Sequence, residues 1–223
     1  MFIDTGSSGG GSLGPWMRWT SEGSARKGLV PESWVLRDKD ENGQTAESNV
    51  EAFKTGCVMD LDSLKLGWER DGLPGTAPER RWNPSVSQST PRPDSSNKAT
   101  GGFAWGEALS VRCAIGGGLA ATWEQGSFGA YEAFRRLATQ INATDPKNGT
   151  LPLVKQTGVE HRKLKNGSSA IPVLDIVKWV QRPDCLKEGA VPIDTGHAAP
   201  AAVAPVTPQP AQAPVAAPAD AEF

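Results

Sequence analysis

Between residues 109 and 180 the chain switches between two periodicities, and their order restricts the fold more than any other feature. Residues 109–115 (LSVRCAI) alternate as a half-buried strand does. Gly116-Gly117-Gly118 turns the chain and residues 119–124 (LAATWE) return, a hairpin pattern. Tyr131, Phe134, Leu137, Ala138 and Ile141 then recur at helical spacing behind Ser127, a residue suited to cap a helix over 127–142. Residues 142–149 stop that helix, and residues 151–159 read as a strand. Lys165-Asn166-Gly167 is a tight hairpin turn, and residues 170–180 (AIPVLDIVKWV) form the last strand. Pro172 marks the start of that strand as an edge or a bulge.

Upstream, residues 33–37 (SWVLR) read as a short strand, residues 38–49 as a polar loop, and residues 55–61 as a strand. Trp16-Met17-Arg18-Trp19 reads as an extended segment with both aromatics on one side, clipping the N-terminal segment to the body. Residues 71–102, rich in Pro, Gly, Ser and Asn, form a long loop, and a loop of that length in a compact domain is usually functional or disordered. The order is strand, long loop, strand, turn, strand, helix, strand, hairpin, strand. It predicts a mainly β fold, an OB-fold-like five-stranded barrel with one helix between strands three and four. A β-sandwich with an inserted helix is the alternative.

The 223 residues suffice for one domain and a tail. The expected organisation is a flexible N-terminus (1–14), a folded body (15–188), an Ala/Pro-rich linker (189–219) and an acidic tip (220–223). Residues 197–219 are almost entirely Ala, Pro, Val and Gln, with too little bulky apolar surface to offset the entropy of ordering them. Prolines stiffen such a segment toward polyproline II. Asp220, Glu222 and Phe223 end it. The aromatic can fill a pocket on a partner, a contact of about 1.5–3 kcal/mol, and the carboxylates can meet basic residues around it. A frayed end is the plainer reading.

All 23 Lys and Arg precede Gly189, against 22 of the 25 Asp and Glu; Asp194, Asp220 and Glu222 follow it. The body is thus nearly neutral, and any grip on phosphates must come from local patches. No apolar run is long enough to span a bilayer, and the Gly/Ser-rich start lacks a signal-peptide order, so a cytoplasmic protein is expected. Cys57, Cys113 and Cys185 are odd in number and widely spaced. With two His and no CxxC they argue against a zinc site and read as reduced thiols, Cys57 and Cys113 inside strands.

In OB-folds the loops between strands one and two and between strands four and five flank the ligand groove. Here the first carries Arg80, Arg81, Trp82 and Arg92, with Trp68 and Trp105 in or beside it. The second carries His161, Arg162, Lys163 and Lys165, and Arg112 on the second strand is grouped with them. Cations for phosphates and flat rings for bases are what a single-stranded nucleic acid requires. Trp123 and Trp179, in apolar strands, read as core. A catalytic reading would use Asp60 and Asp62 on one strand face, joined by Asp175 and Glu124, as in a metal-dependent nuclease. No Walker loop, Ser-His-Asp order, HExxH or paired-Cys motif accompanies them. The expectation is a non-enzyme without metal or cofactor.

The Pro-rich tether ending in acids and Phe223 resembles the tail of bacterial and phage single-stranded DNA-binding proteins. Asp60-Leu61-Asp62-Ser63-Leu64-Lys65-Leu66-Gly67-Trp68, with Trp82-Asn83-Pro84 and Pro91-Arg92-Pro93, resembles phage-encoded proteins of that type over most of residues 53–185. The tip has fewer acids than such tails carry. The resemblance implies a protein that coats single-stranded DNA in phage replication or recombination and recruits replication or recombination proteins through Asp220, Glu222 and Phe223, with no membrane partner. Monomer and homodimer stay open. The second reading is a phage adaptor or virion component with a β-domain and a spacer tail.

Overall fold

The computed structural model describes residues 14–40, 42–71, 78–94, 104–144, 149–165 and 167–187, all within the first of two units, Met1–Pro192 and Ile193–Phe223. Asn166, the N-terminal segment before Gly14, the linker and the tip Asp220, Glu222 and Phe223 lie outside the described residues. The body is mainly β, an open sheet curled into a half-barrel with few helices. In chain order its elements are β1 (Trp16–Thr20), β2 (Ser33–Lys39), β3 (Thr45–Val50), α1 (Ala52–Thr55), β4 (Cys57–Arg70), β5 (Glu79–Trp82), β6 (Gly106–Ile115), β7 (Leu119–Gln125), α2 (Phe128–Ala143), β8 (Thr150–Leu164) and β9 (Gly167–Gln181). The sheet runs β3-β2-β1-β7-β6-β4-β8-β9, with β5 paired to β4.

Among the described residues the expected strand count of five is corrected to nine. β4, β6, β7, β8 and β9 occupy the expected places, with α2 between β7 and β8. β2 is the short strand expected over residues 33–37, and β1, β3 and β5 add to them. β3 (TAESNV) falls in the expected polar loop, and its side chains are mostly polar and exposed; it is an edge strand paired only with β2, where neither face must be apolar. β5 lies inside the expected long loop. Gly67 admits it, since a Cβ there would stand 2.2 Å from the Arg81 carbonyl oxygen. Residues 61–64 of β4 bulge: Ser63 Oγ donates to the Asp60 carbonyl oxygen (2.7 Å) and accepts the Arg112 amide (2.8 Å), supplying bonds the interrupted ladder lacks. Ser127 precedes α2 as expected but makes no side-chain cap; its hydroxyl accepts from Gln125 Nε2 at 2.6 Å.

The core is built on aromatic rings from five elements. Trp34 of β2 lies 5.5 Å from Trp19 of β1, 4.2 Å from Phe53 of α1 and 5.1 Å, edge to face, from Trp123 of β7, between centroids. Phe134 of α2 meets Trp123 at 6.3 Å. Such pairs add about 0.5–1.5 kcal/mol beyond their burial. Two indoles also cross the interior: Trp34 Nε1 donates to Gln156 Oε1 of β8 (2.9 Å) and Trp19 Nε1 to the Ala170 carbonyl oxygen of β9 (2.9 Å). Trp16 and Trp19 were expected on one side of their segment. They lie on opposite sides, Trp19 buried and Trp16 exposed, because residues three apart in a strand face opposite ways. Trp123 is buried as expected, whereas Trp179 is half-buried. Cys57 and Cys113 are buried inside β4 and β6, where burial and the neighbouring Cys113 thiol push the Cys57 thiol up.

Side chains, not a ladder, close the half-barrel along β9. Ala170 accepts from Trp19, the Leu174 carbonyl oxygen accepts from Gln140 Nε2 (3.0 Å), the Ile176 amide donates to Gln140 Oε1 (3.2 Å), and Pro172 has no amide to satisfy. Gly129 seats α2 on this edge, since a Cβ there would meet the Ala170 carbonyl oxygen at 2.6 Å. Among the described residues no helix is long and apolar enough to cross a membrane, which says nothing of strands.

Trp34→Ala should cost about 3–5 kcal/mol by leaving a cavity among three rings. Trp19→Phe keeps most of the ring but strands the Ala170 carbonyl, and should cost about 1–3 kcal/mol. Denaturant melts measure both. Amide exchange should quicken first in β9 of Trp19→Phe; uniform quickening across the sheet would show that the indole bond does not hold the seam.

Candidate functional site

The β4–β5 hairpin sets the first group of cations. Neighbouring side chains on β5 alternate faces, so Arg80 and Arg81 part. Arg80 reaches Glu69 (2.5 Å) and Glu124 (2.7 Å). Arg81 turns to Glu79 (3.2 Å) and lies over the Trp105 ring at 5.1 Å. Arg70, itself buried, stacks on Trp105 at 4.7 Å and pairs with Glu79. Trp105 is therefore fully buried with two guanidiniums over its ring, a correction to its expected place beside an open loop. Trp68 is half-buried, donates Nε1 to the Thr90 carbonyl oxygen (3.1 Å) and carries Arg92 at 5.8 Å. Arg92 also donates to the Trp105 carbonyl oxygen. Trp82, opposite Gly67, is half-buried.

The β8–β9 hairpin sets the second group. His161 faces Glu32 at 3.4 Å. Arg162 reaches Glu132 (3.4 Å) and Glu160 (3.6 Å) and lies 5.9 Å from the Phe128 ring. Lys163 and Lys165 are exposed and make no direct ion pair among the described residues. Arg112 belongs to neither group: near the other end of β6 it donates to the Cys185 carbonyl oxygen (3.2 Å). Both loops converge on the junction of β7 and α2, the first through Arg80 on Glu124 and the second through Arg162 on Phe128 and Glu132.

A cleft of about 850 Å³ opens on this junction, walled by β1 and β2 on one side and by the β4–β5 hairpin on the other. Arg18, Arg37, Arg70 and Arg80 line it against Glu69, Asp71 and Glu124, and Trp16 forms part of its wall. Trp16, Arg18 and Arg37 were not among the expected site residues. The signal was present in WMRW: strict alternation puts Trp16 and Arg18 on one face and Met17 and Trp19 on the other.

The four carboxylates of the catalytic reading do not gather. Asp60 and Asp62 both pair with Arg182, Asp60 at 2.6 Å; Asp175 accepts from Thr157 (2.6 Å) and Gln140 (3.2 Å); Glu124 holds Arg80. Among the described residues no group of three or more His, Cys, Asp or Glu side chains is placed to hold a metal ion. Comparison of the chain with protein-family models, curated proteins and solved structures finds no match.

Hydrogen bonding from Arg70 holds the Glu79 carboxyl below its ordinary pKa of 4.5. A carboxylate held down in this way contributes stability at pH values above 4.5, and that contribution is lost as pH falls through the lower folded-state value. Protonation leaves the buried Arg70 guanidinium facing a neutral acid. Glu79→Gln should therefore lower the melting temperature at pH 7 and narrow its gap to the unmodified protein as the solution is acidified below the carboxylate range. Parallel acid profiles for the two proteins would show that the pair contributes nothing.

Proposed function

We propose that the protein binds single-stranded DNA across the cleft at the β7–α2 junction, and that its tail recruits a partner. The observation that carries this reading is the convergence of the β4–β6 connection and the β8–β9 hairpin on that one junction. The order β7-β6-β4-β8-β9, with α2 between β7 and β8, supports an OB-like arrangement, in which the corresponding loops border the ligand groove. Guanidiniums and ammoniums attract phosphates, rings receive bases, and no base-edge code is needed. The setting inferred is coating of single strands in phage replication or recombination, without a cofactor.

A second reading, a phage adaptor or virion component, is favoured by one observation. Arg80, Arg81 and Arg162 all face acids, which leaves few cations for phosphates. The salt dependence separates the two. Arg37, Lys163 and Lys165 make no direct ion pair among the described residues. With about three phosphates engaged, the logarithm of affinity should fall with that of salt at a slope of about −2. Single strands should bind more tightly than duplex, whose bases are not open to stacking. Equal affinity for the two forms, or none in low salt, would sink the DNA reading.

The tip lies outside the described residues, and its role is proposed from the sequence. Deleting Asp220 to Phe223 should abolish partner capture and leave DNA binding intact. DNA binding should tighten slightly in low salt, where two fewer acids compete with phosphates, and the gain should vanish at moderate salt, where the screening length is about 10 Å. Pull-downs with the intact chain, the deletion and Phe223→Ala test this. Recovery of the same replication proteins by all three would show the tip to be inert.

A further inference from the structure

Of the tryptophans expected to receive bases, Trp105 is fully buried under Arg70 and Arg81, and Trp68 is half-buried with Arg92 over its ring. Among the described residues the exposed aromatic rings lie elsewhere. Trp16 is 43% exposed on the wall of the large cleft, and Phe128 is 46% exposed at the first residue of α2. Each stands beside an arginine. Arg37 is the direct cross-strand partner of Trp16, a position that brings two side chains to about 4.5–5.5 Å at their Cβ atoms. Arg162 lies over the Phe128 ring. Arg37 makes no direct ion pair, although Glu47 is its partner across β3 and holds Arg18 and Lys27.

The two couples share one surface. A smaller depression of about 160 Å³ contains Phe128, and Gly106 and Gly126 line both it and the large cleft. At Gly126 the space a Cβ would take is filled by the Glu69 side chain, whose Cβ stands 2.9 Å from that position. Two exposed rings in adjoining depressions, one of them beside a guanidinium without a direct ion pair, match the bases and phosphates of a single strand.

We infer that bases of a bound single strand stack on Trp16 and Phe128, with Arg37 taking the phosphate adjacent to Trp16, along a continuous track over the β7–α2 junction. The inference rests on the single-strand reading above and moves its stacking contacts from the loops to β1 and the start of α2.

Fluorescence anisotropy with a labelled oligothymidylate, using the full chain, tests it. Trp16→Ala and Phe128→Ala should each weaken binding by about 5- to 150-fold, the range for loss of one stacked base, with an unchanged salt slope. Trp16→Phe should restore most of the affinity. Arg37→Ala should flatten the slope by about 0.7. Melting temperatures of these surface variants should stay within about 2 °C of the intact chain. No binding by the intact chain would overturn the single-strand reading and this track with it. Binding by the intact chain that Trp16→Ala and Phe128→Ala leave unchanged would overturn the track alone.

Discussion

The fold depends on Trp34. Its ring touches partners from β1, α1 and β7, and its indole nitrogen bonds Gln156 on β8. One side chain from a strand near the N-terminus thereby joins both halves of the curled sheet. Trp19 repeats the arrangement one strand over. Its backbone amide and carbonyl are both held by the Gln125 carboxamide at 2.8 Å, while its indole reaches β9. Gln125 thus imitates a strand partner where the β1–β7 pairing stops. Indole is suited to this work: it fills a core as a large apolar body and carries one donor, which bonds across the interior in Trp19 and Trp34 and has no partner in the buried Trp105 and Trp123.

This dependence explains which parts of the fold were legible. The run from β6 to β9 follows local rules, alternation, a glycine turn, an amphipathic helix and an Asn-Gly hairpin, so its elements could be read in order. β3 and β5 do not follow such rules. β3 is held by its ladder to β2 rather than by burial, and β5 by four pairs to β4 within a segment rich in Pro and Ser. Trp16-Met17-Arg18-Trp19 was visible, but its meaning turned on period-two alternation, which makes Trp19 a core residue and Trp16 a surface one. The loop cations were found by composition, which sees charge but not pairing. Glu69, Glu79, Glu124 and Glu132, scattered in sequence, come together with them only in three dimensions.

Asp60 and Asp62 show the same limit. In sequence they form a compact acidic pair. In the fold their strand bulges, and both turn to Arg182, which follows β9. That guanidinium draws residues 182–187 onto the sheet, where Leu186 is buried with Val58, Ala114 and Leu151, and Arg112 adds a bond to Cys185. Asp60, through Arg182, and Arg112, through Cys185, thus hold residues 182–187 against the sheet.

The pairing of arginines with acids has a consequence for recognition. A near-neutral body whose arginines mostly face carboxylates has little long-range field with which to steer a polyanion. Displacing Glu69 or Glu132 to free an arginine would recover phosphate contact only by breaking a part-buried pair, an exchange that gains little. On the proposed single-strand reading, affinity would therefore rest mainly on stacking, which salt screens weakly. Stacking in turn requires rings that are exposed yet rigidly held. Trp16 meets that requirement because its neighbour Met17 is buried and β1 is laddered to β2 and β7. Phe128 meets it because α2 is fixed on β9 at Gly129. The closure that completes the core is thus the same feature that holds the exposed rings in place.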